Sequence, residues 1–305
     1  MTRLPAPAGG APLADLVLLD DALVPREKAV VSAFDRGVLY GESLFETLKV
    51  EYGAPCLWER HRDRLAAGCA ELGIPVDVGA LEDGVRRLLA SGPVEHGVLR
   101  VQVTGGEQPG GGRGMTAPAE GRRPRIVAAC IQTPPPDDDH YAGGVRVVSC
   151  AGLLRPSPWL KSGNYLASVR AKAVAESAGA YECVLVTGEP PCVLEGSFSN
   201  VLLWDGDVVV SPPEGERLPG VTVGVVLEEA VRAGVPVTMR PIRLGEVAGE
   251  GGAAAGLLLT SSLSGVCWCS HLDGAPLRKS VEIAGLLRER LIAREDETRR
   301  TWGGE

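Results

Sequence analysis

Three prolines followed by three aspartates interrupt the sequence near its middle, at residues 134–139. Proline has no backbone N–H and a fixed φ, so this run can continue neither a helix nor a central strand. We therefore predict that the chain forms two domains. The predicted segments are a flexible leader at residues 1–15, a small N-terminal domain at 16–133, an interdomain linker at 134–140, a larger C-terminal domain at 141–294 and a frayed polar tail at 295–305.

Apolar periodicity predicts helices and strands in both domains. Residues 43–50 alternate, with Leu44, Leu48 and Val50 on one face, as a strand requires. Residues 79–90 instead repeat apolar side chains at helical spacing. Further strands are predicted at residues 16–19, 29–31, 98–103, 126–131, 145–149, 183–186, 201–205, 208–211 and 257–260, and further helices at 58–72, 165–179, 222–233 and 281–293. This mixture predicts an α+β or α/β fold.

Bulk composition limits the possible functions. The chain has 305 residues, of which 45% are hydrophobic and 23% charged, and this is typical of a globular protein with a sizeable core. Its net charge of −8 argues against a nucleic-acid partner. No apolar run approaches the ~20 residues that span a bilayer, so no membrane partner is predicted. The N-terminus lacks the apolar core of a secretory signal.

The cysteines point to a cytoplasmic protein without a metal site. All eight are scattered along the chain, which predicts reduced thiols rather than a disulfide framework. Cys267 and Cys269 form the only close pair in the sequence. No further cysteine or histidine stands at zinc-binding spacing from them, so we predict no metal centre.

Lys161 is the first candidate for chemistry. It stands in a stretch of small residues just before a predicted helix, at residues 159–165. An amine held near apolar groups or a second cation loses affinity for its proton and becomes a nucleophile toward carbonyl carbon. Taken alone, however, a solvated surface lysine explains this position more simply.

Three further segments have both a functional and a structural interpretation. Residues 194–200 carry Glu195, whose carboxylate would hold a ring nitrogen protonated, but the Gly, Ser and Asn around it are also ordinary turn residues. Residues 218–222 precede a helix and offer an anion site at its N-terminus, unless Thr222 simply caps that helix. The hydroxyl-rich residues 260–265 either face an anion or form an ordinary loop. The glycine-rich residues 105–114 favour a mobile loop over phosphate binding.

The order and combination of these motifs carry more information than any one of them. Together with residues 35–41, 44–47 and 61–65, they resemble the class IV aminotransferases, the fold-type IV pyridoxal-phosphate enzymes, from about Leu16 to Leu291. The resemblance implies a two-domain fold with a small N-terminal α/β domain. The larger C-terminal domain would contain a mostly antiparallel, barrel-like sheet and helices. It also implies a homodimer with the cofactor between the two domains.

The resemblance also implies a role for particular residues toward pyridoxal 5'-phosphate. Lys161 would form the Schiff base and then move the proton, and Glu195 would pair with the pyridine nitrogen. The phosphate would be bound by four residues: Arg64 of an H-x-x-R-L motif, the amides of Val221 and Thr222, and the hydroxyl of Ser262. A doubly charged phosphate is well held by a guanidinium, a helix N-terminus and hydroxyls together.

Two reactions within the family compete. Residues 110–116 and 259–266 resemble segments of 4-amino-4-deoxychorismate lyase, which releases pyruvate and 4-aminobenzoate, and this is the leading hypothesis. The alternative is a transaminase that moves an amino group between a D- or branched-chain amino acid and a 2-keto acid; more remote alternatives are a specialised biosynthetic activity and a catalytically inactive scaffold. The sequence departs from the family at Gly105, where arginine is frequent, and at Glu42, where aspartate is commoner.

An amino-acid-like substrate is expected to meet arginines and a largely apolar wall. Arg100 or Arg113 would clamp its carboxylate. The residues predicted to line the remainder of the substrate site are Tyr40, Phe45, Tyr165 and Leu263, although aromatic side chains at such positions are equally typical of a core.

Overall fold

The computed structural model describes residues 16–107, 121–135, 139–250 and 254–303, and the chain divides into two compact units. The first unit comprises Met1–Pro135, Lys161–Asn164 and Asp296–Glu305. The second comprises Pro136–Leu160 and Tyr165–Glu295. The short segment that carries Lys161 therefore belongs to the first unit.

The first unit contains one antiparallel sheet with two longer helices. Its elements are β1 (Leu16–Leu19), β2 (Ala22–Pro25), a 3-10 turn (Arg26–Lys28), α1 (Arg36–Tyr40), β3 (Ser43–Glu51), β4 (Ala54–Pro55), α2 (Trp58–Glu71), α3 (Val78–Ala90), β5 (His96–Thr104) and β6 (Ile126–Gln132). The strand order is β2-β1-β6-β5-β3-β4. Helix α2 packs on β3, and α3 packs on β1, β2 and β6.

Strand β3 follows the predicted alternation, with one polar exception. Leu44, Leu48 and Val50 are buried on one face. Glu46 shares that face and is only 2% exposed. A carboxylate is seldom buried in this way without a cationic or hydrogen-bonding partner, so Glu46 marks a position with more than a packing role.

The strand predicted at residues 29–31 is wrong. Asp20 has a φ of 58°, and the tight turn at this point pairs β1 at once with β2, from Leu16 opposite Pro25 to Leu19 opposite Ala22. Strand β1 is therefore already paired with β2 before the chain reaches residue 29. The later apolar residues stay outside the sheet, and Val30 is 69% exposed.

The second unit is built on a ten-stranded sheet. Its strands are β7 (Val145–Ala151), β8 (Glu182–Thr187), β9 (Cys192–Gly196), β10 (Asn200–Trp204), β11 (Val209–Ser211), β12 (Val237–Met239), β13 (Ile242–Arg243), β14 (Gly256–Ser261), β15 (Gly265–Leu272) and β16 (Ala275–Pro276). Strands β9 and β10 also pair with each other and close a ring through β14, β15, β7 and β8. Most pairs are antiparallel, which confirms the predicted barrel-like sheet; β7–β8, β7–β15 and β11–β12 are parallel.

Aliphatic side chains of these strands form the core of the second unit. Cys267 and Cys269, which the sequence left unexplained, lie in β15 and belong to this core. Burial raises the pKa of the Cys267 thiol to about 11. Both cysteines therefore act as small apolar residues, and neither is a reactive thiol.

The helices of the second unit are α4 (Asp139–Gly143), α5 (Leu166–Ser177), α6 (Val221–Arg232), α7 (Leu244–Ala248) and α8 (Val281–Gly303). The predicted end of the last helix near Ala293 is wrong, because α8 continues through the supposed tail. Its final residues belong to the first unit, where the Trp302 ring lies 5.4 Å from that of Trp58. Thr298 Oγ1 accepts a hydrogen bond of 3.2 Å from Leu57 N. These tertiary contacts stabilise a segment that its polar sequence alone would leave frayed.

In the described part of the chain, no helix combines the length and the apolar character that crossing a membrane would require.

Candidate active site

Lys161 lies on a short extension of the first unit's sheet. Phe45 N donates a 3.0 Å hydrogen bond to Lys161 O, and Gly163 N donates a 2.7 Å bond to Ser43 O. A Cβ at residue 163 would overlap the Ser43 hydroxyl, so only glycine permits this close approach. The small residues after Lys161 thus fix the lysine backbone against β3, which a solvated surface lysine does not need.

The Phe45 ring brings two cationic side chains together. Lys161 Nζ lies 4.9 Å from the ring centroid, and the Arg100 guanidinium carbon lies 4.0 Å from it. Both distances are within the range of cation–π attraction. Of the predicted substrate residues, the structure therefore places Phe45 and Arg100 beside the lysine.

Glu46, His61 and Arg64 form a buried polar cluster in the first unit. Arg64 Nε and Nη2 donate to the two Glu46 oxygens, at 2.8 and 2.6 Å. His61 Nδ1 lies 2.7 Å from Glu46 Oε2. The i,i+3 spacing of the H-x-x-R motif puts both side chains on the face of α2 that packs on β3. Glu46 therefore fixes the guanidinium in one orientation.

The pKa shifts of Glu46 and His61 indicate which side chains of this cluster are charged. Burial by itself raises the pKa of the Glu46 carboxyl. Arg64 and His61 lower this pKa by a larger amount, so its net value is about 2. Burial lowers the pKa of His61 against the opposing effect of Glu46, and the charges of Arg64 and Lys161 lower it too. At neutral pH the cluster thus contains an ionised glutamate and a neutral imidazole, which donates its Nδ1 proton to the carboxylate.

Glu195 lies in the second unit, on β9, and is 6% exposed. Arg155 donates to its Oε1 through Nε at 3.1 Å and Nη2 at 2.5 Å. Leu218 N donates to its Oε2 at 3.0 Å. Arg155 could not be predicted from the sequence, because it stands in an irregular segment forty residues before its partner. Glu195 is thus an oriented carboxylate that borders a small cleft with Tyr165 and Phe198.

The serine hydroxyls of the E-G-S-F-S-N motif are hydrogen-bonded to Glu182. The hydroxyls of Ser197 and Ser199 both donate to this buried carboxylate. The backbone N–H groups of Ser197 and Phe198 do so as well, at 3.2 and 3.3 Å. These serines therefore stabilise the turn that follows Glu195, and the structural interpretation applies to them.

The start of helix α6 has the properties of an anion site. Gly220 is the N-cap residue, and no described side chain caps the helix, so the alternative in which Thr222 is the cap is wrong. The first N–H groups of a helix lack intrahelical acceptors and lie at its positive end. A Cβ at Gly220 would overlap Asn200 Oδ1, which makes glycine necessary here. Val221 and Thr222 are the first two residues of α6, so their backbone amides lie at this end of the helix.

The strand pairing of the sheet brings a buried hydroxyl, that of Thr260, near the start of α6. Thr260 is opposite Asn200 in the β10–β14 register. Its Oγ1 is buried and has no hydrogen-bond partner among the described residues. Such an orphaned buried hydroxyl is rare and needs an acceptor that the described residues do not supply. The sequence singled out Ser262 in this turn and missed Thr260; Ser262 is partly exposed just beyond the strand.

Of the other predicted substrate residues, Tyr40 belongs to the first unit, and Tyr165 and Leu263 belong to the second. The Tyr165 ring lies 5.6 Å from that of Phe198, beside Glu195. Tyr40 is 38% exposed at the end of α1, and Leu263 is 37% exposed after β14. Arg113 and the rest of residues 108–120 lie outside the described residues.

Comparison with known proteins identifies the family. The sequence profile of the class IV aminotransferases matches residues 43–271, well over half of the chain. The chain therefore belongs to this family of pyridoxal-phosphate enzymes, which confirms the predicted resemblance, enzyme class and cofactor.

Three similar proteins represent different reactions. The structure is similar to that of 4-amino-4-deoxychorismate lyase from Pseudomonas aeruginosa, with 32% identity, a TM-score of 0.78, and coverage of 91% of this chain and 98% of that one. A putative branched-chain-amino-acid aminotransferase from Methanocaldococcus jannaschii is 28% identical over 94% of this chain and 97% of its own. A D-alanine aminotransferase from Listeria monocytogenes is 27% identical over 85% of this chain and 88% of its own.

The described residues fit the cofactor of this family. The orphaned Thr260 hydroxyl and the start of α6, which no described side chain caps, suit a phosphate. The oriented carboxylate of Glu195 suits a protonated ring nitrogen. Lys161, held against β3, supplies the amine.

Proposed function

We propose that this enzyme is a lyase that acts on 4-amino-4-deoxychorismate and releases pyruvate and 4-aminobenzoate. The observation that carries the proposal is the structural alignment with such a lyase, which reaches 32% identity over 91% of this chain. The motif at residues 44–47 fits lyases and D-amino-acid transaminases better than branched-chain enzymes, so it argues only against the branched-chain alternative. Because Lys161, Glu195 and the phosphate-binding groups are common to both reactions, they support the family rather than the choice between them.

Each residue then has a role in binding. Lys161 binds the cofactor covalently through its amine. Glu195 would hold the ring nitrogen and favour its protonated form. The phosphate is bound by a guanidinium, two helix amides and hydroxyls; these groups belong to Arg64, Val221, Thr222, Ser262 and, as an addition from the structure, Thr260.

Pyridoxal phosphate supplies an aldehyde that bonds amines and a ring that accepts electrons when a bond to the substrate Cα breaks. When it is not bonded to the cofactor, the Lys161 amine would take the proton from the substrate Cα and would deliver it to the departing three-carbon group, which leaves as pyruvate. The Glu195 carboxylate stabilises the positive ring nitrogen, so that the ring accepts those electrons more readily. Arg100 binds the substrate carboxylate near Phe45.

Product analysis decides between lyase and transaminase. The purified enzyme is incubated with 4-amino-4-deoxychorismate and no keto acid, and separately with D- or L-amino acids plus a 2-keto acid. We expect pyruvate and 4-aminobenzoate in equal amounts from the first mixture. Amino-group transfer in the second mixture, with no pyruvate from the first, would establish the transaminase instead. A Lys161→Ala variant is assayed in parallel, and any product it yields measures the contribution of contaminating enzymes.

We also propose that the enzyme is a homodimer. A cluster of apolar residues in the first unit is exposed: Val30 69%, Phe34 66%, Val38 62% and Leu39 49%. Large apolar side chains that are exposed this close together in sequence are typical of an association surface. Light scattering should give the dimer mass for the native chain and a monomer for Val38→Glu. Val231→Glu, which changes an equally exposed valine of α6 (62%), should remain dimeric. A native chain that is monomeric at micromolar concentration would contradict the proposal.

The cysteines support a location in the cytoplasm. All eight lie in the described residues, and all are free thiols. Burial raises the pKa of Cys69 and Cys130 to about 12, so these two remain protonated and unreactive. A protein that keeps eight unpaired thiols suits a reducing compartment.

A further inference from the structure

Arg217 is a buried arginine whose hydrogen bonds to the described residues all go to neutral oxygens. It is 4% exposed. Its guanidinium donates to Pro212 O at 3.1 Å, Leu218 O at 3.1 Å and Ser211 Oγ at 2.8 Å. Burial lowers the pKa of Arg217, against the opposing effects of Glu195 and Glu214. A guanidinium remains charged under such conditions, so a positive charge is held inside the loop between β11 and α6.

The three acceptors lie at opposite ends of that loop. Ser211 and Pro212 stand where β11 ends, and Leu218 stands two residues before the α6 N-cap, Gly220. Arg217 therefore joins the beginning of the loop to its end. Without this link, Leu218 at the end of the loop would be held by its hydrogen bonds to Asn200 and Glu195 among the described residues.

The Leu218 peptide groups connect this link to the candidate active site. Its carbonyl accepts hydrogen bonds from Asn200 Nδ2 at 2.9 Å, Arg217 Nη1 at 3.1 Å and Gly220 N at 2.9 Å. Its N–H donates to Glu195. Leu218 thus connects the start of α6 to the carboxylate of Glu195, which is the group proposed to bind the cofactor ring. Glu195 is also held by Arg155, whereas the helix start has no capping side chain among the described residues, so it depends more on Arg217.

We propose that Arg217 is a positioning residue that sets the α6 N-terminus for the phosphate of the cofactor. The inference rests on the proposed binding of pyridoxal phosphate by this chain. Arg217 itself touches neither phosphate nor ring in this account. It acts by holding Leu218 O, and through it the amides of Val221 and Thr222. Its loss should therefore weaken binding of the phosphate more than binding of the ring.

A comparison of pyridoxal phosphate with pyridoxal tests this directly. Dissociation constants of both are measured by absorbance for the native enzyme, Arg217→Met and Arg217→Lys. Removing one partner of a buried hydrogen-bonded set corresponds to a change of about tenfold to a hundredfold. We expect Arg217→Met to raise the Kd of pyridoxal phosphate by about that much, while that of pyridoxal changes no more than about threefold. Lysine, which keeps the charge, should recover part of the loss.

Two controls make each outcome decisive. Arg240→Met removes an arginine that pairs with Glu246 elsewhere in this unit, and it should change neither constant. Ser211→Ala removes one Arg217 acceptor and leaves the charge; it should give a smaller loss with the same preference for the phosphate compound, and it serves if Arg217→Met does not fold. Equal losses for both compounds, or none, would overturn the positioning role. Failure of the native enzyme to bind pyridoxal phosphate through Lys161 would instead overturn the proposed function.

Discussion

Replacing Lys161 by alanine is expected to lower turnover by roughly 10⁴-fold, the upper range for loss of a positioned proton-transfer group. The lysine is the only amine that the structure fixes against β3 at the Phe45 ring among the described residues. Both covalent attachment of the cofactor and transfer of the Cα proton depend on it. Pyridoxal phosphate should still bind noncovalently, because the proposed phosphate and ring contacts belong to other residues. Turnover with the preferred substrate and equilibrium dialysis measure the two effects.

The matched control is Lys279→Ala. Lys279 is exposed in the second unit, and surface substitutions of this kind rarely change the free energy of unfolding by more than about 0.5 kcal/mol. Its removal should therefore leave the protein folded and turnover within about twofold of the native value. A Lys161→Ala enzyme that keeps a tenth of native activity would rule out the assigned role.

Glu46→Gln should destabilise the fold by roughly 3 kcal/mol at neutral pH. The pKa of the Glu46 carboxyl falls from 4.5 to about 2 on folding, and each unit corresponds to about 1.4 kcal/mol. Because the folded-state pKa is lowered, this stabilisation is complete above pH 4.5 and is lost as the pH falls from 4.5 toward 2. The difference between native and variant should therefore be largest at pH 7, roughly halved near pH 3 and small only near pH 2. Urea unfolding at several pH values measures it.

Glu71→Gln provides the comparison, since Glu71 is exposed at the end of the same helix, α2. Its effect should stay within about 0.5 kcal/mol at every pH. A Glu46→Gln effect that is small, or that does not change with pH, would mean that the cluster with Arg64 and His61 contributes little to stability.

The sequence predicted the parts of the site that follow from local spacing. The H-x-x-R motif places His61 and Arg64 on one helix face, and glycine before α6 leaves the helix amides for an anion. The lysine was recognisable from the small residues after it, of which Gly163 is required by the close approach of Ser43. The alternation of β3 likewise predicted its buried face, since both patterns depend only on near neighbours in sequence.

The sequence could not predict partners that folding brings from afar. Arg155 and Glu182 each bind a motif residue from a distant position, and nothing in their own neighbourhood marks them. Arg217 stands next to a recognised motif, but its importance arises from burial and from acceptors at both ends of a loop. The end of α8 was missed for the same reason, because its stability comes from Trp58 and Leu57 in the first unit.

Borohydride reduction followed by peptide mass mapping tests the central claim most directly. The native enzyme is loaded with pyridoxal phosphate, reduced, digested and analysed for the phosphopyridoxyl group. Attachment to Lys161 alone is the predicted result. Attachment instead to Lys28, Lys49, Lys172 or Lys279, or no attachment to a protein that binds the cofactor, would contradict the account.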